Sequence, residues 1–355
     1  LRKLPFLELL ALALTLLPVP GRAVIVENLY RAEVEAEDHG SRQLWKAARE
    51  GLAQVLVKVS GSRAVLRDER VGAALAGNRN YLQQYQYRRR SGGELNLLIQ
   101  YDAELVKGLL AEARQPLWTA NRPPLLVWLV VDDASGRRFA TSASHPDLLA
   151  LLRRDLRRRG VPAIFPLHDL EDTVSMNVHD LWQLDEPAIY RASHRYGVAD
   201  ILAGRMSALA GGRWMGEWML LQNGSRPTDG YYGIELETAS LAGVNFAADR
   251  MGERYAVAAG AVRDENVFIR VDELPAYSDY RAAVDFLEQI ELVDAAWPAY
   301  VEGNSMIFSL RAQAEAEQLH GIIALGGRLV RLETPAPLRG SELPVALVYR
   351  WLGGS

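Results

Sequence analysis

The stretch Gly197-Val-Ala-Asp-Ile-Leu-Ala-Gly-Arg-Met-Ser-Ala-Leu209 reads as the end of a helix, a tight turn and a buried strand, and the sequence on either side reads as its cover. Upstream, Leu125 to Val131 is a nearly continuous apolar run of strand length, which suits a central strand covered on both faces. Downstream, Trp214 to Gln222 and Tyr231 to Thr238 read as two further strands, joined by a polar loop that holds Asn223-Gly224 and Asp229-Gly230. No residue of the organising stretch has an evident chemical task, so function must be sought around it.

Outward from this point, a middle domain is expected over residues 121–262. Ser144-His-Pro-Asp147 has capping-box spacing and opens a helix that ends at Gly160. A second helix starts at Asp185-Glu-Pro187, and Leu241, Val244, Ala248, Met251 and Tyr255 recur at helical spacing. This order predicts a mixed sheet with helices packed on it. Residues 24–120 read as a small α+β domain: a strand over Ile25 to Ala36, a helix opened by Ser41, a hairpin of Tyr81 to Arg90 with Leu95 to Tyr101, and a helix capped by Asp102. Residues 263–355 read as β-α-β-β-α-β, the ferredoxin-like order, with Val345 to Trp351 as a further strand at a sheet edge. The expected class is therefore α+β, built of three small α/β modules.

Hydrophobic residues make up 49% of the 355, enough for two or three cored domains and too many for a disordered chain. A net charge of -4 gives no whole-protein reason to bind a polyanion, so nucleic acid is not an expected partner. The chain has no cysteine, which removes disulfides, thiolate metal sites and cysteine nucleophiles. Arg2 and Lys3, the apolar Leu4 to Val19 and the Gly21-Arg-Ala23 end read as a signal peptide, residues 1–23, cut after Ala23; a retained anchor or a buried N-terminal helix is the alternative. The mature chain is then expected in the periplasm, with no transmembrane segment.

The Val57-Lys-Val-Ser-Gly-Ser-Arg63 segment, the Tyr81 to Tyr87 strand and Ala199-Asp-Ile-Leu-Ala-Gly204 together resemble an uncharacterised bacterial envelope family, the domain of unknown function numbered two thousand and sixty-six. Its motifs are structural. The resemblance implies a secreted protein and carries no activity.

Three groups of side chains are candidate sites. His168-Asp-Leu-Glu-Asp-Thr-Val-Ser-Met-Asn-Val-His-Asp180 places imidazoles and carboxylates in one loop-like stretch after a strand, with His168, Asp172 and His179 as candidate metal ligands, although no recognised metal spacing is present. Arg153, Arg157 and Arg158, with Arg154 and Arg159, crowd the last turns of one helix, where they grip anionic groups or form a solvated face. Trp214 and Trp218 share one face of a strand and form either a stacking platform or part of the core. No G-x-S-x-G and no phosphate-binding glycine loop occurs.

The expected function is that of a non-enzymatic periplasmic interaction or scaffold protein, with no cofactor and no catalytic residue. Its expected partner is an envelope protein or a peptidoglycan-associated one, or a second copy of the chain. The alternative is a periplasmic metal-assisted hydrolase or glycan-binding protein that uses the His168 to Asp180 loop.

Overall fold

The strand Asp200–Ala208 lies at the centre of a six-stranded sheet in the computed structural model, which describes residues 24–89, 93–222, 224–258, 266–290, 292–312, 314–333, 338 and 340–353. Residues 1–23, expected to be a signal peptide, residues 90–92, expected to be a hairpin tip, Asn223 and the expected domain boundary at 262 lie outside the described residues. The sheet runs in the order Thr228–Glu235, Arg213–Gln222, Asp200–Ala208, Leu125–Asp133, Gly136–Phe139, and Ala163–Ile164 pairs with the start of Leu125–Asp133. Asp200–Ala208 and Ala163–Ile164 run parallel to Leu125–Asp133, and the remaining pairs are antiparallel.

Both faces of this sheet are buried, which is why its central strands read as unbroken apolar runs. Leu125, Val127, Leu129, Leu202, Trp218 and Leu220 pack on one side beneath helices Pro146–Arg159 and Leu236–Tyr255. Leu126, Trp128, Val130, Ile201, Met219 and Leu221 pack on the other beneath Val178–Trp182 and Glu186–Ser193. Trp218 fits because two glycines face it. A Cβ at Gly204, its cross-strand partner, or at Gly243 of the covering helix would strike the indole ring.

Local chemistry departs from the sequence reading at several points. Helix Pro146–Arg159 has His145 as its N-cap without a side-chain cap bond, and Ser144 instead donates to the carbonyl of Phe139 at 2.9 Å, so the expected capping box does not form. The strand expected to reach Thr238 gives way to a helix at Leu236. The His168 to Asp180 stretch is largely helical: Leu170–Ser175 is followed by Val178–Trp182, whose capping box joins Asn177 and Asp180. The expected strand over Ile25 to Ala36 is two, Val24–Ile25 and Arg31–Glu35, broken at Asn28 with φ 58°.

A three-stranded sheet orders Arg31–Glu35, Leu95–Tyr101 and Leu82–Arg89, and helix Ser41–Ser60 covers one of its faces. The helix stops at Gly61, whose φ of 77° suits a residue without a Cβ and whose close approach to Gly252 leaves no room for one. A five-stranded sheet orders Val293–Glu302, Ser305–Ala312, Val267–Asp272, Val345–Trp351 and Leu329–Arg331. Val345–Trp351 is not the edge strand expected of it. It inserts parallel to Val267–Asp272 and displaces Leu329–Arg331 to the edge. The whole is a mixed α/β structure with several mixed sheets, consistent with the α+β class. Among the described residues no helix is long and apolar enough to cross a membrane.

Candidate functional site

A cleft of about 590 Å³ opens where the three-stranded sheet meets helix Pro146–Arg159. Its first wall is built by residues of the first hundred. Helix Ser41–Ser60 presents Glu50, Gln54 and Lys58, which recur every four residues and so share one face. Beside them runs Arg31–Glu35, the edge strand of its sheet, with Glu94, Asn96 and Leu98 from the adjoining chain. The second wall carries Arg154, Arg157 and Arg158, together with Glu237 from the start of helix Leu236–Tyr255. Arg158 joins the walls through Glu50 at 3.8 Å, and Arg154 pairs with Glu237 at 2.8 Å.

Buried arginines fix the two walls to each other. Arg122 is fully buried, stacked 4.0 Å over the Trp118 ring. Its Nε donates to Thr119 O, its Nη1 to the carbonyls of Arg159 and Gly160, and its Nη2 to those of Lys58 and Trp118, at 2.8–3.1 Å. Three of these acceptors lie at the C-terminal ends of helices Ser41–Ser60 and Pro146–Arg159, where last-turn carbonyls have no helical donor and the macrodipole is negative. A single planar guanidinium thus caps two helices at once. Arg159, also buried, donates to Gly61 O at 3.1 Å, Asn245 Oδ1 at 2.6 Å and Asp249 Oδ1 at 2.7 Å. Arg63 reaches the same Asp249 from the other wall at 2.8 Å. The cleft is preformed by these bonds.

Lys58 is the unusual group of the site. It is 7% exposed, and its Nζ donates to the carbonyl of Arg31 at 2.7 Å. Burial, reinforced by the charges of Arg122 and Arg158, lowers its pKa to about 8. An anionic group entering the cleft would favour the charged ammonium. Cations and carboxylates in the lining are nearly balanced, so the cleft suits a ligand that carries both signs.

The sequence-expected residues divide. Arg157 and Arg158 line the cleft, whereas Arg153 lies 4.6 Å over the Phe165 ring. Trp218 is buried in the core with Trp214 partly buried beside it, so the pair offers no open platform. Asp172 is enclosed: its Oδ2 accepts from His168 N at 2.8 Å and from Tyr196 Oη at 2.7 Å, and its Oδ1 from Arg195 at 3.3 Å. The His168 ring lies against Trp128 and Phe139, where burial lowers its pKa, whereas His179 is exposed on the following helix. Among the described residues no group of three His, Cys, Asp or Glu is placed to hold a metal ion.

Lys58, Arg122 and the edge strand were not singled out from the sequence. The Lys58 signal was legible as a lone cation inside Val55-Leu-Val-Lys-Val59, an otherwise apolar run. Asp200, in the organising strand itself, is fully buried; its carboxylate accepts from Gln222 at 2.6 Å and Tyr255 at 2.8 Å, and burial raises its pKa. That cluster closes on itself and is structural.

No curated protein matches the chain. A family match corrects the resemblance drawn from the sequence: the matching family is a different one from that numbered two thousand and sixty-six. Residues 23–119, which supply the first wall of the cleft, match the model of a family described as a domain of unknown function, DUF8605.

Proposed function

We propose that the protein is a non-enzymatic binding protein of the bacterial cell envelope, exported to the periplasm, which holds a partner protein in the cleft between the Arg31–Glu35 strand and helix Pro146–Arg159. The observation that carries this reading is the preformed cleft lined by charges of both signs, whose walls are joined by Arg122 and Arg159. A rigid site loses little conformational entropy on binding, which favours recognition of a ready-made surface or segment. Three modules, 24–120, 121–262 and 263–355, belong to the same reading, the last a ferredoxin-like variant with its extra strand inserted. The first two supply the cleft.

The test is photo-crosslinking in the producing cell, with a photoreactive residue placed at Gln54 in the cleft or at exposed Ser278 of helix Tyr277–Glu288, which does not line the cleft. Gln54 is expected to capture a second polypeptide, and Arg157→Glu to suppress that capture. Equal labelling from the two positions would refute the reading. Cell fractionation with a mass spectrum of the processed chain tests export.

A further inference from the structure

Strand Arg31–Glu35 pairs with Leu95–Tyr101 along one side, and among the described residues no strand pairs along its other side, which borders the cleft. The backbone bonds give the direction of each group. Ala36 N donates to Leu95 O, so the neighbouring Glu35 directs its N–H and C=O away from Leu95–Tyr101 and toward the open side. The Arg31 carbonyl, an even number of residues away, points the same way and receives Lys58 Nζ there. The side chains alternate as well. Glu33 and Glu35 stand exposed on the face away from helix Ser41–Ser60, whereas Ala32 and Val34 are buried beneath that helix.

We propose that the occupant of the cleft is an extended polypeptide segment with alternating basic and acidic side chains, added as a further strand along Arg31–Glu35. This inference rests on the reading of the cleft as a protein-binding site. An added strand in register sends alternate side chains to opposite faces of the sheet. On one face they meet Glu33 and Glu35, which outnumber the neighbouring Arg31 and call for lysine or arginine. On the other they meet Lys58, Arg157 and Arg158, which outnumber the Glu50 carboxylate beside Arg158 and call for aspartate or glutamate. A polyanion satisfies the second set and is repelled by the first.

Three synthetic octapeptides test the proposal on the full chain: alternating lysine and glutamate, all lysine, and all glutamate. The alternating peptide is expected to bind at least about tenfold more tightly than either homopolymer. Glu35→Pro removes an N–H that the native ladder does not use, a substitution edge strands accept. It is expected to weaken the alternating peptide by about tenfold or more, with circular dichroism and melting temperature retained, whereas Glu35→Gln changes affinity by less than about threefold. Octaglutamate binding as tightly as the alternating peptide, or unchanged binding to Glu35→Pro, would overturn strand addition. If the alternating peptide fails while Gln54 crosslinking stays sensitive to Arg157→Glu, strand addition is overturned and the cleft reading stands. Loss of both results overturns both.

Discussion

Arg122 Nη2 donates to the backbone carbonyl of Lys58 at 2.8 Å, so the residue whose charge adds to burial in lowering the Lys58 pKa also fixes the end of the Lys58 helix. Replacing Arg122 by Met keeps much of its volume and leaves the carbonyls of Lys58, Arg159 and Gly160 without this donor. Buried polar groups stripped of a charged partner cost several kcal/mol, and Arg122→Met is expected to destabilise by about 3–5 kcal/mol. Arg122→Lys is expected to recover little of this, because one ammonium cannot reach the same set of carbonyls. Urea unfolding of the three proteins measures both effects.

Lys58 sets a pH dependence of definite sign. The unfolded chain holds this proton up to about 10.5 and the folded chain up to about 8. Between those values the unfolded state binds more protons, so this group makes the protein more stable as pH rises from 8 to 10.5. The contribution is on the order of 3 kcal/mol at most. In Lys58→Met it is expected to vanish, which denaturant unfolding at about pH 7.5 and about pH 10 would show as a flatter difference. The same proton couples to binding: an acidic group beside Lys58 is expected to bind more weakly above about pH 8.

His168 acts in the opposite range. Burial against Trp128 and Phe139 lowers its pKa below the ordinary 6.5, so the unfolded chain takes up the proton first as pH falls. Its contribution is present above 6.5 and is lost as pH drops through that value toward the folded pKa. His168 has φ 52°, which asparagine tolerates, so His168→Asn removes the titration without imposing a new backbone strain. The variant is expected to lose less stability than the native protein between about pH 7 and pH 5.

The Trp218 seat predicts a steric result. Gly243→Ala forces a methyl group into the indole ring and is expected to destabilise by about 1–3 kcal/mol. Trp218→Leu makes room, so the double variant is expected to be more stable than the sum of the two losses implies, as a double-mutant cycle by thermal melting would reveal.

Period and apolarity made the middle sheet legible: Leu125 to Val131 and Asp200–Ala208 could be central strands only if both faces were covered, and they are. Cap chemistry made other features legible, among them the Gly160 end of helix Pro146–Arg159 and the Asp102 cap of helix Ala103–Glu112. Strand order is a long-range property, and nothing local in Val345–Trp351 tells it to insert beside Val267–Asp272 instead of lying at an edge. The capping box at Ser144 failed because His145, one residue later, is the N-cap, and the Ser144 hydroxyl accepts from Thr141 N instead while donating to the Phe139 carbonyl. The cleft was half legible. The arginine run was visible, but its opposing wall comes from a segment about a hundred residues away, and Arg122 looks from the sequence like any linker arginine before Pro123-Pro124.

Amide hydrogen exchange at Glu35 tests the central claim most directly, because its N–H faces the open side of Arg31–Glu35. In the free protein this amide is expected to exchange quickly beside the protected amides of Val34 and Ala36. On addition of the alternating lysine–glutamate peptide it is expected to become protected, with little change at the amides that already pair with Leu95–Tyr101. Saturating peptide that leaves Glu35 exchange unchanged would contradict the account.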